Sequence, residues 1–143
     1  MNKLPNTPIK VKVVPDSNIY IAAALNRGYC YDWLFGASKP EANYQLFVSE
    51  AILSEVSIKL ENRFQFTRLE TSQYLTDLEQ ILTKVRPSTQ INIVRDSSDN
   101  KILECAVEAK AELVISFDKD LLVLKQHDNI QIADPRMLQY WFT

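Results

Sequence analysis

Five acidic residues occupy positions at which a chain of alternating strands and helices would gather them. Asp16 directly follows the apolar run at 11–14, and Glu55 lies two turns into a helix that begins at Ser49. Asp99 opens a helix after the run at 91–94, Asp118 follows the run at 113–116, and Asp120 comes two residues later. Asp16, Glu55, Asp99 and Asp118 are therefore expected near the carboxyl ends of strands, where open parallel sheets bind ligands. Carboxylates held close together raise one another's pKa unless a cation neutralises them. With oxygen as the donor type, the chemistry points to a hard ion, Mg²⁺ or Mn²⁺. Such an ion activates a water for attack on phosphorus and stabilises charge on the phosphate oxygens. If Asp118 or Asp120 helps to hold a second ion, the attacking and leaving oxygens are both clamped.

Each acid also has a plainer role. Asp16 and Asp99 suit helix caps, and Asp118 and Asp120 suit a turn and the cap of a brief helix. Glu55, at the border of an apolar helical face, suits a solvated flank. Their shared position at one sheet edge favours the metal-binding alternative.

The elements that must position these acids follow from hydrophobic spacing. Short apolar, β-branched runs at 11–14, 46–48, 91–94, 113–116 and 130–132 predict five strands. Helices are predicted at 18–25, capped by Ser17 or Asp16, at 29–37, and from Ser49 with Ile52, Leu53, Val56 and Leu60 on one face. A longer helix is predicted at 67–84, ended by Pro87, then others at 99–110 and 121–125, with a last turn or two at 135–140. This alternation calls for a mainly parallel sheet covered on both faces, an α/β fold in one domain over 1–143.

Composition narrows the function classes. The net charge of −2 argues against a protein that coats nucleic acid by general basicity, though not against a nuclease whose acids surround metal ions. Cys30, Cys105 and the lone His127 are too dispersed in sequence to make a zinc pattern. Cys105, inside an apolar helical stretch, reads as a buried free thiol and favours a reducing compartment. The opening MNKLPNTPIKVK holds no apolar run of signal-peptide length, and no run is long enough to span a membrane. A soluble, cytoplasmic protein is expected.

The segments VVPDSNIYIAAAL, VSEAILSEV, RDSSDNKILECAVEAKAELVIS and SFDKDLL, in that order, resemble the motifs of the PIN domain family, particularly its VapC-like toxins. The resemblance runs from Val11 to about Pro135 and implies a five-stranded parallel sheet in an α/β/α sandwich. It matches Asp16, Glu55, Asp99 and Asp118 to a metal-binding catalytic quartet and Asp120 to an acid often added to it. Asn18 matches a residue that supports the first aspartate by a hydrogen bond, and Ser17 stands where threonine is usual. The resemblance also selects Asp99 over Asp96 in the RDxxD pattern. Two positions depart from it. Pro15 replaces an aliphatic residue, which costs little at a strand end. Phe117 replaces a frequent glycine, which would strain Asp118 if that backbone needs a positive φ.

The implied activity is Mg²⁺- or Mn²⁺-dependent cleavage of single-stranded RNA, with tRNA among the candidate substrates. The implied partners are an antitoxin and a second copy of the chain. Lys59, Arg63, Arg68, Lys119 and Lys125 could meet RNA phosphates, although scattered helix cations are more often simply solvated. The aromatic end, Tyr140, Trp141 and Phe142, is expected to pack on the domain or form a contact patch. The competing reading is a catalytically inactive PIN-like module that binds RNA or protein. A phosphatase or receiver-like domain is a further alternative, but the surroundings of Asp16 lack the DxDx pattern.

Overall fold

The computed structural model describes residues 10–137. The expected contact of Tyr140, Trp141 and Phe142 lies outside them. The first described element is β1 (Val11–Pro15), whose Val13, Val14 and Pro15 are buried. Asp16 caps α1 (Ser17–Leu25) by accepting the N–H groups of Asn18 and Ile19. Ile19, Tyr20, Ile21 and Ala23 of that helix are all buried, as its almost uninterrupted apolar sequence requires. Next come α2 (Tyr29–Gly36) and β2 (Tyr44–Val48), then α3 (Glu50–Phe64), which Ser49 caps through the N–H of Ile52. The inward stripe of α3 is Ile52, Leu53, Val56 and Leu60, as the spacing predicts.

The helix expected at 67–84 ends early. α4 (Arg68–Glu79) starts in a reciprocal Thr67–Glu70 capping box, and residues Leu82–Lys84 form β3 instead of its last turn. β3 pairs parallel with β2, Leu82 opposite Leu46, and Val85 extends the edge by donating its N–H to the Val48 carbonyl at 2.9 Å. Tertiary pairing with an open sheet edge thus overrides a helical pattern that no glycine or proline interrupts until Pro87.

Conversely, the strand expected at 91–94 does not form. Ile91 and Val94 are buried as their apolar character demands, but side chains satisfy their backbone instead of a ladder. Glu104 Oε2 accepts the Ile91 N–H at 3.0 Å. The Asn100 amide accepts the N–H groups of Ile93 and Val94 and donates to the Val94 carbonyl at 2.7 Å. The segment therefore buries Ile91 and Val94 while their N–H groups keep hydrogen-bond partners.

α5 (Ser97–Ala109), capped by Asp96, packs against β1, β2 and β4 (Leu113–Ile115). The brief helix expected at 121–125 is α6 (Lys119–Leu122), starting earlier because Asp118 caps it by accepting the N–H groups of Asp120 and Leu121. After it a two-residue β5 (Gln126–His127) pairs antiparallel with β6 (Ile130–Ala133), and a 3₁₀ turn follows at Pro135–Met137. Asp128, with φ 52, supplies the left-handed residue of that tight hairpin, which the strand prediction passed over.

Among the described residues the sheet therefore has six strands rather than five, in the order β3-β2-β1-β4-β6-β5, parallel except at β5. The residues of β4 and the second half of β1 are buried without alternation, the signature of a parallel sheet covered on both faces. Cys30 and Cys105 are both buried free thiols. Among the described residues no helix is long and apolar enough to cross a membrane.

Candidate metal centre

The chain runs from β1 outward through β2 to β3, then returns to place β4 on the other side of β1. This reversal makes the carboxyl ends of β1 and β4 a topological switch point, where two neighbouring strands send their loops in opposite directions and leave a crevice. Asp16 leaves β1 there, its N–H bonded to the Ile115 carbonyl of β4 at 2.9 Å. Asp118 leaves β4 three residues beyond Ile115.

Carboxylate oxygens of Asp99, Asp118 and Asp120 all lie within 4.8 Å of one another. Asp16 and Glu55 do not join the trio at that spacing; Asp16 lies near enough to act on Asp99, and Glu55 is tied to Ser17 and Ser98, the chain neighbours of Asp16 and Asp99. Asp99 is the buried member, only 6% exposed, and its Oδ2 has no hydrogen-bond partner among the described residues. Burial, followed by the nearby carboxylates of Asp118, Asp96 and Asp16 and a hydrogen bond with Asp118, pushes Asp99 up to about 7. Its position owes nothing to a preceding strand: the first turn of α5 carries it in, while Asp96 takes the capping role by accepting the Ser98 N–H.

Asp16 is 3% exposed and pushed up to about 6, chiefly by burial and further by the Asp118 carboxylate. Hydrogen bonds from the Ser116 hydroxyl and the N–H groups of Ile19 and Asn18 oppose that rise. Asn18 supports the aspartate from its backbone, its N–H lying 2.9 Å from Asp16 Oδ1. Ser17 turns to a different acid, its buried hydroxyl donating to Glu55 Oε2. Burial works to raise Glu55, but hydrogen bonds from Ser17 and Ser98 and the Lys59 ammonium outweigh it and hold the carboxyl below its usual range. Lys59 Nζ stands 3.5 Å from Glu55 Oε2.

The capping alternative is thus realised together with the clustering. Asp16 and Asp118 cap helices with one oxygen each, and Asp99 caps nothing. Asp120 is exposed and meets Arg95, whose Nη2 lies 3.3 Å from its Oδ2. Phe117 is absent from the residues with positive φ, so the glycine replacement brings no left-handed strain to Asp118. Ser116 escaped the sequence reading. Its hydroxyl donates to Asp16 Oδ2 and accepts the Asp118 N–H at 2.8 Å, yet a serine at a strand end carries no signal of such a role.

The oxygen-only donor set and the orphaned Asp99 Oδ2 fit a hard divalent cation. Without a divalent cation, three carboxylates at this spacing repel one another, relieved by protonation and, at Asp120, by the exposed Arg95 ion pair.

The PIN domain family model matches residues 12–120. An uncharacterized protein of Methanocaldococcus jannaschii is 30% identical over 128 residues, 84% of this chain and 79% of that protein. VapBC2 from Rickettsia felis, solved bound to a DNA fragment from its promoter, has a similar fold, with a TM-score of 0.63 at 14% identity over 87% of this chain and 98% of that one. PAE2754 from Pyrobaculum aerophilum follows at 0.61 and 15%, over 95% and 92% of the two chains. VapC20 of Mycobacterium tuberculosis, a sarcin-ricin loop cleaving toxin, reaches 0.52 at 13%, over 83% and 98%. At these identities the structural likeness speaks to fold alone.

Proposed function

Because this chain belongs to the PIN domain family, we propose that its acidic crevice is the centre of a metal-dependent endoribonuclease. The observation that carries the proposal is the buried, unpartnered Oδ2 of Asp99, a residue with a carboxylate oxygen within 4.8 Å of those of Asp118 and Asp120. In this reading Asp99, Asp118 and Asp120 hold a Mg²⁺ or Mn²⁺ ion, and Asp16 and Glu55 complete the catalytic set around the substrate phosphate. When bound, the ion lowers the pKa of a water and offsets charge on the phosphate oxygens. Ser116 and the start of α1 hold the Asp16 carboxylate in a fixed orientation. Ser17 and Lys59 fix Glu55, which at its depressed pKa stays ionised at neutral pH.

The likeness to VapBC2 and to VapC20 supports a toxin of a toxin–antitoxin pair. An antitoxin is then the protein partner, RNA (tRNA included) is the substrate, and self-association is expected as well. The test is cleavage of total RNA and purified tRNA in Mg²⁺, Mn²⁺ or EDTA by the wild type, Asp16→Asn and Asp99→Asn. Metal-dependent cutting that both substitutions abolish is the expected result. RNA binding that survives EDTA, with no cleavage under any condition, would assign the chain to the inactive, binding class instead.

A further inference from the structure

A groove of about 470 Å³ follows α3 away from Glu55, lined by Ser54, Ile58, Lys59, Asn62 and Arg63 among others. A smaller one of about 160 Å³ lies between α3 and the start of α5, with Ser97, Ser98 and Lys101 on its polar wall. Both include Ala51 and Glu55, so they form one track from Arg63 to Lys101 with the Glu55 carboxylate along its course.

Apart from Glu55, the charged residues along this track are the cations Lys59, Arg63 and Lys101. The flank of α3 that faces α4 carries more acid, although it shares Ser54 and Ile58 with the track. The grooves it shares with α4 are lined by Glu50, Glu61 and Glu79, with Arg68 the lone cation. Lys84 pairs with Glu50 and Glu79, so the contrast is one of degree: in a chain of net charge −2, the track, with three cations against one acid, is the flank that favours a polyanion. Lys59 and Lys101 are each partly engaged, with Glu55 and Glu104, whereas Arg63 has no ion pair among the described residues. Ile58 adds an apolar side chain, 58% exposed, between the cations.

We propose that this track seats a single strand of RNA beside the acidic crevice, with backbone phosphates at Arg63 and Lys59 on one side of Glu55 and at Lys101 on the other. An apolar side chain among cations suits unpaired bases, whose faces are free, better than a duplex that presents chiefly phosphate. The inference rests on the ribonuclease reading, since it locates that site's substrate. It assigns two of the five cations noted in the sequence, Lys59 and Arg63, to the substrate, and it excludes Arg68.

The test measures binding of a short fluorescein-labelled single-stranded RNA by anisotropy across a salt series, in the full chain carrying Asp99→Asn to prevent cleavage. Adding Arg63→Gln is expected to weaken binding roughly 3- to 10-fold and to reduce the slope of log affinity against log salt by about 0.7, one phosphate contact. Arg63→Lys should retain most of the affinity. Lys39→Gln, an equal loss of charge at an exposed site off the track, should leave affinity and slope unmoved. If Arg63→Gln behaves like Lys39→Gln, the proposal is overturned and the track belongs to another occupant, such as an acidic protein segment. A wild type that cuts RNA while Arg63→Gln binds it normally sinks the track and spares the ribonuclease. RNA that is bound with the expected slope change but never cut does the opposite.

Discussion

Ser116 donates its hydroxyl hydrogen to the buried carboxylate of Asp16 and so joins the ends of β1 and β4, a hundred residues apart in sequence. The same oxygen accepts the Asp118 N–H, so one side chain sets the relative placement of two acids. Ser116→Ala removes a bond that favours ionised Asp16, whose pKa should then rise further above about 6. Losing such an outer partner lowers metal affinity or activity about 10- to 100-fold. The pH–rate profile separates this from simple damage: the acidic limb should move to higher pH, and Ser116→Thr should restore it. A lower rate with an unmoved limb would count against the assigned role.

Stability should depend on pH and metal together. Folded Asp16 and Asp99 titrate near about 6 and about 7, against 3.8 in an unstructured chain. Between those limits the folded protein binds more protons than the unfolded one, so these two groups make stability fall as pH rises from about 4 to about 7. A divalent cation replaces the protons and removes the penalty. In thermal melts, Mn²⁺ should raise Tm more at pH 8 than at pH 5, relative to EDTA. An equal rise at both values, or none, would show that the ion is not coupled to the titration of these two carboxyls.

The acids should contribute unequally. Asp99 is buried with its Oδ2 unpartnered, whereas Asp120 is exposed and paired with Arg95 across 3.3 Å. An exposed ion pair is worth little, and water can replace an exposed ligand. Asp120→Asn is therefore expected to lower kcat/KM about 10-fold, and Asp99→Asn at least 100 times more than that. Equal losses, measured on one RNA substrate at saturating Mn²⁺, would contradict this ranking.

Asn100 should prove structural rather than catalytic, although it neighbours Asp99. Asn100→Ala leaves the N–H groups of Ile93 and Val94 and the Val94 carbonyl without their partner. The expected loss is about 3 kcal/mol in urea denaturation. Mn²⁺ affinity, measured well below the denaturation midpoint, should stay within a few-fold of wild type.

The parts of the centre set by local order could be read before folding. Asp16 and Asp118 each follow an apolar run at a strand end, and the helix that carries Glu55 announces itself through its cap and its apolar stripe. Errors arose where distant partners decide the structure. The run at 91–94 has the apolar character of a strand, but Asn100 and Glu104 satisfy its backbone from α5. The run at 82–84 continues a helical pattern, yet β2 recruits it as an edge. Ser116 and Ser98 were missed for the same reason: a serine becomes functional through the carboxylate it meets, and Asp16 and Glu55 are remote in the chain. The sixth strand rests on the left-handed Asp128, too short a signal to stand out from a loop.

The central claim is that Asp99, Asp118 and Asp120 share a divalent cation, and anomalous scattering from a crystal of the wild-type protein grown in Mn²⁺ tests it most directly. A peak is expected in the crevice, about 2.0–2.3 Å from Asp99 Oδ2 and within the coordination range of Asp118. It should vanish from Asp99→Asn crystals grown alongside. A crevice without a peak at saturating Mn²⁺, or a peak that Asp99→Asn leaves in place, would contradict the account.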